Sequence, residues 1–143
     1  MFENRIFKII AKIPALIVIA AIWFLSSQST LPQPKGILGI DKIQHIIAFA
    51  VLAVSISFWF PAGQWKQHSL RTIIIIIGIT SAYGAVDEIH QYFVPGRDCN
   101  IWDWLADTIG AVVGTVLSLI VIKFKIRSRE IKNQVQMNYR TDK

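Results

Sequence analysis

Four apolar runs dominate this 143-residue chain and leave it few folds to choose from. They cover roughly Ile6–Leu25, Ile43–Phe60, Leu70–Phe93 and Ile101–Ile122. Each is close to the ~20 helical residues that cross a hydrocarbon core of about 30 Å. With 53% hydrophobic residues and a mean hydropathy of +0.47, the chain is too apolar for an ordinary soluble domain of its length. No period-2 alternation marks the strands of a membrane β-barrel. The run Ile73–Ile77 would read as a buried strand in water, but an isolated strand in lipid leaves its backbone unsatisfied, so helix is expected. The expected fold is an all-α membrane protein, a four-transmembrane-helix bundle over residues 1–125. A basic tail, residues 126–143, is expected to be poorly ordered.

The net charge of +6 does not point to a nucleic-acid partner, because the basic residues sit at segment ends. With the N-terminus inside, the inner side holds Arg5, Lys8, Lys12, Lys66, Arg71, Lys123, Lys125, Arg127, Arg129, Lys132, Arg140 and Lys143, 12 of the 15. Only Lys35, Lys42 and Arg97 fall outside. The positive-inside bias thus predicts a multi-pass membrane protein with both termini in the cytoplasm. The N-terminal run also resembles a secretory signal, but no A-x-A-type site follows it, so cleavage is not expected. A single cysteine, Cys99, can form no intramolecular disulfide and reads as a small loop residue.

Punctuation between the runs is clear. Pro14 lies at the start of the first helix, where a missing N–H is tolerated. Ser26–Ile40 is a loop broken by prolines and glycines, and Pro61–Ser69 is a return loop. Asp41-x-x-Gln44 has the spacing of a capping box, which predicts Asp41 as an N-cap, with His45 one turn on. In the third run Gly78, Ser81, Ala82 and Ala85 predict close helix–helix approach. Val94-Pro95-Gly96 is a turn, and Asn100 is the expected cap of the fourth helix, with Asp103 at its third position. Ala106, Gly110, Gly114 and Ser118 form a small-residue stripe that must face protein.

Against this apolar background the stretch Tyr83–Gly114 is anomalous. It carries Asp87, Glu88, His90, Gln91, Arg97, Asp98, Asp103 and Asp107. An ionisable group at the centre of a spanning helix costs about 2.5–3.5 kcal/mol on insertion scales, and such groups usually face a bundle interior. Six of the nine acids, with Asp41, lie toward the outer face. Plainer roles compete. Asp41 and Asp103 serve equally as caps, Arg97 as an ion-pair partner, His45 as a polar bridge between helices, His90 as an interfacial ring and Asp98 as a solvated loop acid. Glu88 is the hardest to account for this way, being deep and away from any cap. Glu88 and Gln91 are expected to share a face, as are Asp103 and Asp107. Arg97 could pair with these acids or bind a phosphate with both arms. Asp41, His45, Glu88, Asp103 and Asp107 supply metal-ligand types, but no tight motif such as H-E-x-x-H occurs, and the sequence assigns no metal and no cofactor.

These residues carry a resemblance. Asp41-Lys42-x-x-His45-x-x-x-Phe49, Glu88-x-x-Gln91-x-x-x-Pro95-Gly96-Arg97 and Asp103-x-x-x-Asp107-x-x-Gly110-x-x-x-Gly114 look like signatures of the VanZ-like family. Leu25-Ser26-Ser27-Gln28 is similar as well, and the resemblance covers about residues 20–120. Asp107 stands where many members have Asn, which adds a charge. The resemblance implies a small integral membrane protein of the bacterial envelope, of a family associated with reduced susceptibility to the glycopeptide teicoplanin and in some members with exopolysaccharide synthesis. It implies no established reaction. The expected site is a polar intramembrane pocket facing away from the cytoplasm. Glu88, His45 and Asp103 are its candidate catalytic groups, and Asp41, Lys42, Gln91, Arg97 and Asp107 its ligand-binding groups. Its expected occupant is a polar-headed amphiphile, such as a lipid-linked envelope precursor or the glycopeptide near the membrane. Two alternatives stand beside this: a small transporter or flippase using the acids as a proton relay, and a non-catalytic partner subunit in cell-wall or exopolysaccharide assembly.

Overall fold

A computed structural model describes residue 6 and residues 9–29 and 39–141 of the chain. Lys35 with most of the predicted first loop, and Arg5, Lys8 and Lys143, lie outside the described residues. Among those described, every regular element is a helix. In chain order they are α1 (Ile13–Ser26), α2 (Ile40–Ser57), α3 (Ala62–Gln67), α4 (Ser69–Tyr92) and α5 (Ile101–Thr141).

Three of them, α2, α4 and α5, are long and apolar enough to cross a membrane. The first is shorter than its apolar run predicts. Its 14 residues start at Ile13, with Pro14 in the first turn, and reach only about 21 Å. The predicted return loop contains a short helix, α3, because Pro61 fixes an extended entry and Trp65 finds a buried site. At the other extreme α5 runs for 41 residues, about 61 Å, through the segment for which the sequence predicts a poorly ordered tail. No Gly or Pro follows Gly114, and Lys, Arg, Glu, Gln and Met are good helix formers. Lys66, on α3, pairs with Glu130 on this extension.

Packing is organised by α2 and α5, which make the most extensive pairing in the fold. The small-residue stripe faces protein as expected: Ala106, Gly110, Gly114 and Ser118 are all buried. A Cβ on Gly110 would collide with the carbonyl oxygen of Ile46, and one on Gly114 with that of Ala50. The glycines therefore let two backbones touch, the arrangement that drives helix association where lipid offers no hydrophobic incentive. The small residues of α4 behave differently. Gly78 and Ala82 are exposed, and nothing lies near a Cβ built on Gly78. The packed face of α4 is instead Thr72, Ile76, Thr80, Gly84, Asp87, Glu88 and Gln91. Toward the opposite end from these acids lies an apolar core of Ala15, Leu52, Ala53, Ile56, Trp65 and Ile76, with Ile22 and Phe49 leading up to them. Outward faces carry Ile47, Val51, Ile74, Ile120 and similar side chains, as lipid contact requires.

Candidate functional site

The polar residues that the sequence scatters over three runs meet at one end of the bundle. Asp41, Lys42 and His45 come from the first two turns of α2, Asp87, Glu88 and Gln91 from the last two of α4, and Asp103 and Asp107 from the start of α5. The Pro95-Gly96 turn, with Gly96 at φ 82°, reverses the chain so that α4 and α5 deliver their acids to the same place. Asn100 caps α5 as expected, its side-chain oxygen accepting from the Trp102 N–H at 3.1 Å. The predicted cap of α2 is different. Gly39, in the left-handed region at φ 76°, holds the N-cap position, and Asp41 lies inside the first turn with its carboxylate on Lys42 at 3.1 Å. Asp41 also lines the cavity described below.

Two polar contacts join α2 to α5. Lys42 donates to Asp103 at 2.6 Å, and His45 Nδ1 lies 2.8 Å from Asp107 Oδ1. Asp107 is completely buried. Gly84 of α4 makes room for it: a Cβ there would stand 2.8 Å from Asp107 Oδ2 and 2.9 Å from its Cβ. Gly84 is thus the functional glycine of α4, although Gly78 looks equivalent in the sequence.

Glu88 and Gln91 share the buried face of α4 as expected, each with its own partner. Gln91 does not act with Glu88 but donates to Asp87 at 3.0 Å, one turn back. Glu88 turns toward the α4–α5 connection, where its Oε2 accepts the Asn100 N–H at 2.7 Å. Both acids are buried, at 1% and 3% exposure. Asp87, to which the sequence gives no role, is thereby a member of the site. Its position one residue before Glu88 was the available signal, since a helix buries neighbouring positions when two partners flank it.

Arg97 makes none of the predicted ion pairs among the described residues. Its Nε donates to Gln28 O at 3.1 Å and its Nη2 to Leu25 O at 3.4 Å, so it ties the turn to the open end of α1. Leu25 O also accepts the Gln28 N–H at 3.1 Å, so the guanidinium fork adds a second donor at this helix end while reaching Gln28 O as well. His90 performs a parallel task rather than floating at an interface: it stacks on Trp23 at 3.8 Å and shares a 2.9 Å hydrogen bond with Ser27 Oγ. Trp104 donates to Ser81 O at 3.1 Å and joins α5 to α4. Asp98 and Cys99 are exposed in the turn.

Between α1, α2, α4 and the turn lies a cavity of about 310 Å³. Ile22, Leu25, Ala48 and Phe49 give it an apolar wall, and Asp41, Gln44, His45, Asp87, Gln91 and Arg97 a polar one. Behind His45 the buried polar groups are short of donors. Among the described residues Asp87 Oδ1, Glu88 Oε1 and Asp107 Oδ2 accept no hydrogen bond. In a folded protein such buried groups without a partner are few. The arrangement can therefore bind a polar group, move a proton between carboxylates, or hold a cation.

No curated protein and no solved structure matches the chain. A family model does, that of VanZ/LLP1, over residues 2–122. That interval takes in α1 to α4 and the apolar part of α5, with every residue of the polar site. Three helices able to span a bilayer fit a multi-pass membrane protein, as does the family. The match runs through most of the sequence, and the chain belongs to the VanZ/LLP1 family.

Proposed function

We propose that this chain is a bacterial envelope protein that binds, in its cavity, an amphiphile with a polar head. The observation that carries the reading is the two-sided lining of that cavity: aliphatic and aromatic side chains of α1 and α2 on one wall, Asp41, His45, Asp87, Gln91 and Arg97 on the other. Ligand sites are mostly apolar clefts of ~300–1,000 Å³ with a few placed polar groups, and this one lies at the lower end of that range. A lipid-linked envelope precursor and the membrane-proximal form of a glycopeptide both have the required split character. The family's association with teicoplanin susceptibility agrees with either.

This reading includes a topology. The sequence from Ile6 to Leu25 is an apolar run of about 20 residues interrupted by Lys8 and Lys12, the length that a fourth crossing takes. Both termini then lie inside, and the cavity opens toward the extracytoplasmic face. Of the candidate groups, His45 lines the cavity and would perform chemistry on the bound head, with Asp41, Gln91 and Arg97 holding it, whereas Glu88, Asp103, Lys42 and Asp107 are not part of the lining and would act through those groups.

Filling the apolar wall tests the reading without touching a charge. Ala48→Phe should place a ring in the cavity. In a susceptible host, wild-type protein is expected to raise the teicoplanin concentration needed for growth arrest, and Ala48→Phe at equal membrane abundance is expected to lose that effect. An Ala48→Phe protein as protective as the wild type would remove the cavity from the function.

A further inference from the structure

Three helices bring His45, Glu88 and Asp107 together, one residue from each of α2, α4 and α5. One ligand-type atom from each lies within 4.8 Å of the other two. Ligands on a sphere of ~2.0–2.1 Å around a tetrahedral ion are about 3.4 Å apart, so small side-chain rotations would close the set.

We propose that His45, Glu88 and Asp107 are the ligands of a divalent metal ion, with zinc the best fit. The inference goes beyond the amphiphile reading and does not depend on it.

The second observation, independent of the clustering, is the pair of orphaned oxygens. Glu88 and Asp107 are 3% and 0% exposed. Glu88 Oε2 accepts the Asn100 N–H, and Asp107 Oδ1 lies 2.8 Å from His45 Nδ1, a contact that an ion bound between the two would replace. The other oxygen of each, Glu88 Oε1 and Asp107 Oδ2, has no donor among the described residues. Two buried carboxylates with a free lone-pair edge each are an acceptor surplus that a cation satisfies and a further acceptor does not. Gly84 fits the same purpose, since a Cβ at that position would press on Asp107 Oδ2 at 2.8 Å and push the carboxylate off its site. The Asn100 N–H orients Glu88 in the way outer-shell donors orient metal-ligating carboxylates.

Ligand chemistry selects the ion. Imidazole suits zinc and its transition-metal neighbours, whereas calcium takes six to eight oxygens and magnesium keeps several waters. One imidazole and two carboxylates make three protein ligands, the number found in open zinc sites, which keep a position for water or substrate. His45 also lines the cavity, so that position can be reached from it.

The test uses the full chain purified in detergent, stripped with a chelator and then titrated with zinc alone. The expected result is a stoichiometry of about one zinc per chain, and a cobalt-loaded sample with the visible absorption of a four- or five-coordinate site. Glu88→Gln, Asp107→Asn and His45→Gln should each weaken zinc binding by more than roughly 100-fold, while Asp98→Asn in the exposed turn should not. Wild-type protein that takes up no zinc overturns the inference, whatever the variants do. So does zinc that persists in all three ligand variants, which would place it at exposed groups such as His68. If a variant fails to fold, the wild-type stoichiometry and cobalt spectrum decide alone. Cavity binding of an amphiphile is not measured here, so the two proposals fail separately.

Discussion

Glu88 shows how a single side chain can be tested apart from the fold it sits in. Its Oε2 accepts the Asn100 N–H, an acceptor that glutamine also supplies. Glu88→Gln should therefore fold and accumulate like the wild type yet lose activity, because the charge and the free oxygen are gone. Abundance in the membrane and the susceptibility phenotype, measured together, check this. A fully active Glu88→Gln would reduce the carboxylate to scaffolding. Arg97→Lys should cost stability instead, about 1 kcal/mol, since an ammonium cannot span the Gln28 and Leu25 carbonyls as the guanidinium does. Thermal melting in detergent reads that change. The sequence places both residues at the site but misses these partners. Spacing of three along a helix puts Glu88 and Gln91 on one side, but it cannot say that Asn100 arrives from the next helix or that Asp87 lies nearer the amide. Charge is visible in a sequence and points Arg97 at acids, whereas the Leu25 and Gln28 carbonyls that it meets at the end of α1 are not visible there.

At the scale of elements, the bundle depends on glycines that are not equivalent. Gly110 and Gly114 lie against the backbone of α2, which cannot rotate away, so Gly110→Leu or Gly114→Leu should destabilise the protein by roughly 3 kcal/mol or more. Gly84→Ala meets a side chain rather than a backbone and should cost about 1–3 kcal/mol while displacing Asp107. Gly78→Ala meets nothing and should be neutral or stabilising by up to ~1 kcal/mol. The order of the melting temperatures checks the series, and Gly78→Ala melting lowest would contradict the packing. The stripe on α5 was legible because four small residues at helical spacing between bulky ones have one explanation. The set on α4 divides: Ser81 and Ala85 are half-buried, with Ser81 bonded to Thr108 of α5, while Gly78 and Ala82 are exposed, since periodicity alone does not reveal which face a neighbour covers. Helix ends were the other weak point: Asp41 has cap chemistry, but Gly39 satisfies the left-handed geometry there without a side chain.

The whole molecule has two unlike ends. The acids of α2, α4 and α5 gather beside the α1 terminus at one, and Lys66, Glu130 and the basic extension of α5 occupy the other. An interior carrying this much charge is tolerable in a bilayer only where it is shielded by helices or open to water. The proposed topology, argued from the positive-inside bias, puts the acidic end outside, and the function proposed for the cavity depends on it. Native Cys99 is exposed in the turn at the acidic end, two residues from Arg97, and needs no engineering to report it. In intact cells an impermeant thiol reagent should label Cys99. A Cys99→Ser/Lys66→Cys protein should be labelled only after the membrane is permeabilised. Labelling of Lys66→Cys in intact cells, with Cys99 protected until permeabilisation, would put the cavity on the cytoplasmic side and contradict the account.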